Sequence, residues 1–168
     1  MIRIVLSIAA LRAWLIRQLD VKNAFLHGHL KESQPSGFVD TAKPDYIYLL
    51  RKSLYGLKLA PRAWNPRFAT YIYSMGFTAS KSDASLFIYK DRDRVAYLLL
   101  YVDDIILMVS SCELPQLITA HLHSEFAMTG LGDLHHFLGI SMTRDSSGMF
   151  LSQHRSVRRR PSLVGWHV

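Results

Sequence analysis

The stretch "YVDDII", Tyr101 to Ile106, decides how this chain is read. Two carboxylates, Asp103 and Asp104, stand side by side between "VAYLLLYV" (95–102) and "IILMV" (105–109), which are among the most apolar segments of the sequence. Such runs read as buried strands, with Asp103-Asp104 as the link of a hairpin. A two-residue link favours Asn-Gly or Asp-Gly, because its central residues need positive φ. Asp-Asp is a poor substitute, and its charges repel where apolar strands limit the access of water. Three resolutions stand open. The turn is exposed at a sheet edge, one carboxyl keeps its proton, or a cation neutralises both. Magnesium suits the third, since it takes hard oxygen ligands and often only one or two carboxylates beside phosphates.

Working outward, "MIRIVLSIAALRAWL" (1–15) carries Ile4, Val5, Ile8, Leu11 and Leu15 at helical spacing and predicts an amphipathic core helix over 2–15. Arg12 and Arg17 follow it without a small-x-small cleavage site, which argues against a secretory signal. "RQLDV" (17–21) predicts a short strand. "KNAFLHGHLKE" (22–32) predicts a helical turn leading into a loop, and "SQPSGFVDTAKPD" (33–45) a loop. "YIYLL" (46–50) predicts a strand, and 55–61 a connector. Pro61 suits a first helical position and Gly76 a stop, so a helix spans 61–75, with Pro66 expected to bend it. A strand at 84–90, a turn at "DRDR" and a helix over 114–127 follow. Leu114, Leu117, Ile118, Leu122 and Phe126 form the inner face of that helix. The segments 135–143 and 149–153 pair across "RDSSG". This order predicts an α+β domain with a mainly antiparallel sheet backed by helices.

The 168 residues, 49% hydrophobic and 20% charged, suffice for a domain with a proper core. A single cysteine, Cys112, excludes a disulfide framework and a cysteine-based zinc site. It fits a reducing, intracellular setting. None of the eight histidines shows the paired spacing of a zinc motif. No uncharged run approaches the ~18 apolar residues of a membrane span, so no membrane partner is expected. The net charge of +7 favours an anionic partner, nucleic acid first. Four arginines (Arg155, Arg158, Arg159 and Arg160) crowd the last stretch, and the rest of the chain is only mildly basic.

A third carboxylate, Asp20, ends the strand "RQLD". Three carboxylates converging from strand ends would hold two divalent ions for phosphoryl transfer, but spacing alone does not bring Asp20 to Asp103. Five motifs in order carry the argument further: "QLDVKNAFLHG" (18–28), "LRKSLYGLKLAPRAW" (50–64), "SDASLFIY" (82–89), "YLLLYVDDIIL" (97–107) and "LGDLHHFLGI" (131–140). Together they resemble the reverse transcriptase domain of Ty1/copia-type retrotransposons, plant copia elements most of all, over about residues 2–153.

The resemblance implies a polymerase palm with partial fingers, an RNA-directed DNA polymerase (nucleotidyltransferase). Asp20, Asp103 and Asp104 match its catalytic carboxylates, and the Val21 carbonyl joins them around two Mg2+ ions, with Mn2+ as an alternative. The ions would lower the pKa of the primer 3′-hydroxyl and clamp the incoming triphosphate. Phe25 matches the steric gate that leaves no room for a ribose 2′-hydroxyl; as an isolated residue it reads as a core Phe. Lys58, Leu59 and Arg62 match the segment that meets template and nucleotide, although lone charges there read as solvated surface. Phe137, Leu138 and Gly139 match the primer grip, where Phe137 and Leu138 also read as plain core. The implied partners are RNA or DNA template-primer, deoxynucleoside triphosphates, and the integrase and RNase H segments of a polyprotein. The implied location is a cytoplasmic virus-like particle or the nucleus.

The chain departs from the pattern in several places. The segment after Glu32 is shorter than in the family. Leu59 stands where the family has Gln, and Asn65-Pro66 replaces an aromatic-polar pair. The upstream fingers and downstream thumb are expected to be missing. A degenerate, weakly active or inactive enzyme follows as an expectation, with a non-catalytic, basic nucleic-acid-binding relic as the alternative. Residues 154–168 read as a separate basic tail. Codons for Ala-Glu-Glu (GCG-GAG-GAG), read one base later, yield Arg-Arg-Arg, so a frameshift would explain Arg158-Arg159-Arg160; the rival reading is a true basic nucleic-acid arm.

Overall fold

The computed structural model describes residues 2–33, 42–43, 49–53, 59–145 and 148–153. They form two compact units, dividing after Asp133. In the first unit, helix α1 (Ile2–Leu11) leads into strand β1 (Leu15–Val21) and a 3-10 turn (Ala24–His27). A short antiparallel pair follows, β2 (His29–Ser33) with β3 (Leu49–Lys52). Helix α2 (Ala60–Ser74) precedes β4 (Thr78–Ala79), β5 (Leu86–Asp91), β6 (Arg94–Tyr101) and β7 (Asp104–Val109). Helix α3 (Leu114–Glu125) and β8 (Met128–Asp133) complete the unit. The main sheet has the order β4-β5-β6-β7-β1-β8, and every pairing in it is antiparallel. The α+β expectation holds.

Side chains alternate across this sheet, so its two faces differ. Leu19 and Val21 of β1, Leu98 and Leu100 of β6, and Ile105, Leu107 and Val109 of β7 point to one face. There they join Trp64, Phe68 and Ile72 of α2 and Leu114, Ile118 and Leu122 of α3 in one buried cluster. Fully burying each of these aliphatic or aromatic side chains stabilises the fold by roughly 1.5–3 kcal/mol. Ile16, Ile106 and Met108 occupy the other face and are also buried. Helix α1 packs against β7, burying Val5, Leu6 and Ala9.

The sequence expectations meet the structure unevenly. Helix α1 ends at Leu11, and its buried face is Val5, Leu6 and Ala9; Ile4 and Leu11 are exposed. The helical spacing was right, but the buried face is rotated away from Ile4 and Leu11 toward Leu6 and Ala9. Leu117 of α3 is likewise half exposed. Helix α2 runs as expected, and Gly76 stops it at φ +87°. Pro66 does not break it. Arg62, whose carbonyl Pro66 cannot bond, and Pro66 itself both lie on the exposed side, where water can replace the lost bond. Within 22–32, expected as a helical turn leading into a loop, the turn is present as the 3-10 turn, but the segment after it is strand β2 (His29–Ser33). Strand β8, "MTGLGD", was not foreseen. It pairs with β1 through a bulge at Gln18/Leu19, where Leu131 is left without a cross-strand partner between Gly130 and Gly132. The loop at 34–41, most of the strand at 46–50, the connector at 54–58 and the tail at 154–168 lie outside the described residues.

In the second unit, β9 (His136–Phe137), β10 (Ile140–Asp145) and β11 (Gly148–Gln153) form a three-stranded antiparallel sheet. The expected β10–β11 pairing is present. Phe137 pairs with Ile140, so Leu138-Gly139 is a two-residue turn with φ +48° and +75°. Both signs are positive, as a type I′ turn requires, but Leu stands where Asn is favoured.

Candidate active site

The register of the central strands assembles the site. Asp20 lies directly opposite Asp104, and Leu19 opposite Ile105. Because Leu19 and Val21 are drawn into the core, Asp20 between them must point to the other face. A directly opposed pair shares a face, so Asp104 joins Asp20 there. Gln18 sits on the same face, and its side-chain amide donates to Asp104 Oδ1 at 3.4 Å, the long limit of a hydrogen bond. All three side chains are half-buried.

The hairpin link is not Asp103-Asp104. Tyr101 pairs with Asp104, so the two-residue turn is Val102-Asp103 and Asp104 opens β7. Val102 has φ +60°, and Asp103 is not among the residues with positive φ. Positive φ at the first central position alone is the type II′ pattern, in which Gly normally stands. A β-branched residue there is strained. The turn is held from two sides: the Val21 amide donates to the Asp103 carbonyl at 2.9 Å, and the Trp64 indole donates to the Val102 carbonyl at 2.6 Å.

Electrostatics agree with the register. Partial burial first, then the charges of Asp103 and Asp104, push the Asp20 carboxyl above its ordinary range, and Lys22 opposes them. Three negative groups thus share one strand end with too little positive charge to balance them. Hard carboxylate oxygens in that state fit a divalent cation. The side chains as they stand do not close into a cage: among the described residues, no three His, Cys, Asp or Glu side chains form a set that could hold a metal. Gln18 engages one Asp104 oxygen, so rotation of that carboxylate would precede any shared coordination.

The remaining sequence-derived residues fall in three groups. Phe25 lies on the 3-10 turn after β1, packed in the core and 8% exposed. Its carbonyl accepts from the Gly28 amide and from the hydroxyl of Ser53, the buried polar residue at the end of β3. Leu59 is half-buried just before α2, and Arg62 is exposed on the first turn of that helix, two positions from Trp64. Lys58 lies outside the described residues. Phe137 is buried, Leu138 is 46% exposed, and Gly139 completes their turn within the second unit.

The residues that 1–160 spell out match the family model described as reverse transcriptase (RNA-dependent DNA polymerase). The chain belongs to the reverse transcriptase family. Its relatives include the retrovirus-related Pol polyproteins of two Arabidopsis thaliana transposons, RE2 (48% identical over 92% of this chain) and RE1 (45% over 93%). The Pol polyprotein of the Nicotiana tabacum transposon TNT 1-94 is 36% identical over 94% of this chain. These are copia-type elements, as the motifs implied. The chain spans only 11% of the two Arabidopsis polyproteins and 12% of the tobacco one.

Residue-by-residue motif reading did not assign roles to Gln18, Ser53 or Trp64, although all three lie inside quoted motifs. A signal was present for Trp64. A tryptophan on the buried face of a helix needs a partner for its N–H, and the Val102 carbonyl supplies it.

Proposed function

We propose that this chain is the palm of a copia-type RNA-directed DNA polymerase that transfers nucleotides to a primer 3′-hydroxyl using two magnesium ions, with manganese as a substitute. The observation that supports this most is the register of Asp20 opposite Asp104 at the strand end beside the Val102-Asp103 turn. Asp20, Asp103, Asp104 and the Val21 carbonyl would hold the ions. Bound there, the ions would supply Lewis-acid stabilisation of the attacking and leaving oxygens. The protein's own part is positioning. Arg62 would meet a phosphate of the template or nucleotide, assisted by the Lys58 ammonium. The Phe25 ring edge would crowd a ribose 2′-hydroxyl. Phe137, Leu138 and Gly139 would grip the primer end.

We further propose that the polymerase is degenerate. Leu59 has no amide to offer the nucleotide, and the segment after Glu32, shorter than in the family, removes part of a strand. The functional partners would be template-primer, deoxynucleoside triphosphates and the other polyprotein segments, within a cytoplasmic virus-like particle or the nucleus. The boundary at residue 153, with a basic tail beyond it, belongs to this proposal; the family match runs to residue 160.

Primer extension on an RNA template with magnesium, comparing the chain with Asp103→Asn, tests the reading. Extension by the chain but not by the variant establishes the palm and overturns the degeneracy. No extension by either folded protein, with magnesium-dependent template-primer binding in the chain alone, supports a degenerate palm. The net charge of +7 favours one rival, a charge-driven binder without a metal site. It predicts binding that falls steeply with salt and is indifferent to magnesium.

A further inference from the structure

Trp64 is fully buried, with its ring 5.3 Å from those of both Phe68 and Phe126 and 5.9 Å from that of His27. Packing alone would account for an aromatic residue there, but it does not account for the indole nitrogen. That nitrogen reaches out of the cluster to the Val102 carbonyl at 2.6 Å, a short bond to the one residue whose backbone is strained in the hairpin.

The turn has two carbonyls to anchor. The Asp103 carbonyl is held by the Val21 amide, part of the β1 backbone that also carries Asp20. The Val102 carbonyl is held by a side chain on α2, an element with no strand pairing to the hairpin. A β-branched residue at positive φ costs of order 1–3 kcal/mol and persists only where its surroundings over-determine it. Relaxing Val102 to negative φ would rotate the 102–103 peptide and swing the Asp103 carboxylate away from Asp20.

We propose that Trp64 is a positioning residue. Its indole N–H clamps the strained Val102 peptide and so fixes where the Asp103 and Asp104 carboxylates sit relative to Asp20. This rests on the metal-site reading above. The clamp couples the aromatic core beneath the sheet to the polar strand end, so the site geometry is set by a residue that touches neither ion nor substrate.

Trp64→Phe tests it, because the ring is kept while the N–H is lost. Mn2+ affinity of the full chain is measured by electron paramagnetic resonance, and exchange of the Asp103 and Asp104 amide hydrogens by NMR. Asp103→Asn and the core control Phe68→Leu are measured in parallel. The expected result is about tenfold weaker Mn2+ binding in Trp64→Phe, at the low end of what losing a supporting partner costs a metal site. The two amides exchange faster, and Phe68→Leu binds Mn2+ as the unaltered chain does. If Trp64→Phe binds Mn2+ like the unaltered chain while Asp103→Asn does not, the clamp is refuted and the metal site stands. If Asp103→Asn binds no worse than the unaltered chain, the metal reading has failed, and amide exchange alone decides the clamp: faster in Trp64→Phe upholds it, unchanged overturns it.

Discussion

Asp20→Asn should stabilise this protein without metal and destabilise it, relative to the unaltered chain, with metal. Burial and the neighbouring charges of Asp103 and Asp104 raise the Asp20 carboxyl above its ordinary range. A carboxyl raised on folding contributes stability at pH values below its unfolded range, and loses it as pH rises through the folded value. Once ionised, Asp20 therefore burdens the fold. The direct opposition of Asp20 and Asp104 sets the scale. Opposed like charges in a strand pair cost roughly 0.2–1 kcal/mol, and Asn keeps the shape while removing the charge. For a chain of this length, 1 kcal/mol moves Tm by about 2–4 °C, so in chelator the variant should melt up to a few degrees higher. Mn2+ at a hundred times its dissociation constant adds about 2.7 kcal/mol to whichever chain binds it. That gain belongs to the unaltered chain, so the order of melting reverses. Thermal unfolding followed by circular dichroism, with and without Mn2+, reads both halves. If the two proteins keep the same order in both buffers, the shared negative site does not exist as described.

Three further outcomes follow from individual contacts. Gly28→Ala places a methyl 2.8 Å from the Ser53 hydroxyl and 3.0 Å from Ala63 atoms at an otherwise ordinary backbone angle, so overpacking should cost about 1–3 kcal/mol in urea unfolding; a neutral substitution would mean that the 3-10 turn packs less tightly on α2. Leu138→Asn replaces a half-exposed Leu at φ +48° with the residue that a type I′ turn prefers, and should raise the urea midpoint by up to about 1 kcal/mol equivalent, whereas a loss would show that the Leu side chain carries packing that outweighs the strain. His27 is held below its ordinary pKa chiefly by burial, with the charges of Lys52 and Arg67 adding to the effect. Its neutral form is therefore the stable one, and stability should fall as pH drops below about 6.5; the same titration of His27→Phe should lose that component.

What the sequence made legible was whatever local pattern controls. Two apolar runs around a turn produced β6 and β7, and a glycine at positive φ ended α2 where expected. The site residues were legible only through motifs, because the pairing of Asp20 with Asp104 is a long-range contact that no local periodicity encodes. Strand β8 was missed for a related reason. "MTGLGD" offers one β-branched residue, Thr129, beside two glycines that weaken the strand signal, and its pairing depends on β1 offering an open edge with a bulge. The position of the turn was misread because Asp-Asp attracted the reading as the polar pair. The backbone turns instead at Val102-Asp103, one residue earlier, which no propensity scale would choose.

That misreading points to the logic of the site. A turn at Asp103-Asp104 would leave both carboxylates in the link, neither fixed by a cross-strand partner. Moving the turn back by one residue makes Asp104 a strand residue, opposed to Asp20, and leaves Asp103 alone at the tip. The arrangement requires a residue with positive φ at position 102, where glycine would relax the strain but leave the tip conformationally free. Val102 keeps the tip stiff and packs against the core, and two hydrogen bonds hold the peptides on either side of Asp103. The alternation that buries Leu19 and Val21 also aims Asp20, so a one-residue slip of β1 would bury the carboxylate and expose the core. Folding specificity and site geometry are therefore enforced by the same register. The strained Val102 backbone sits where three negative charges are brought together, as expected when strain is retained at a functional site rather than removed.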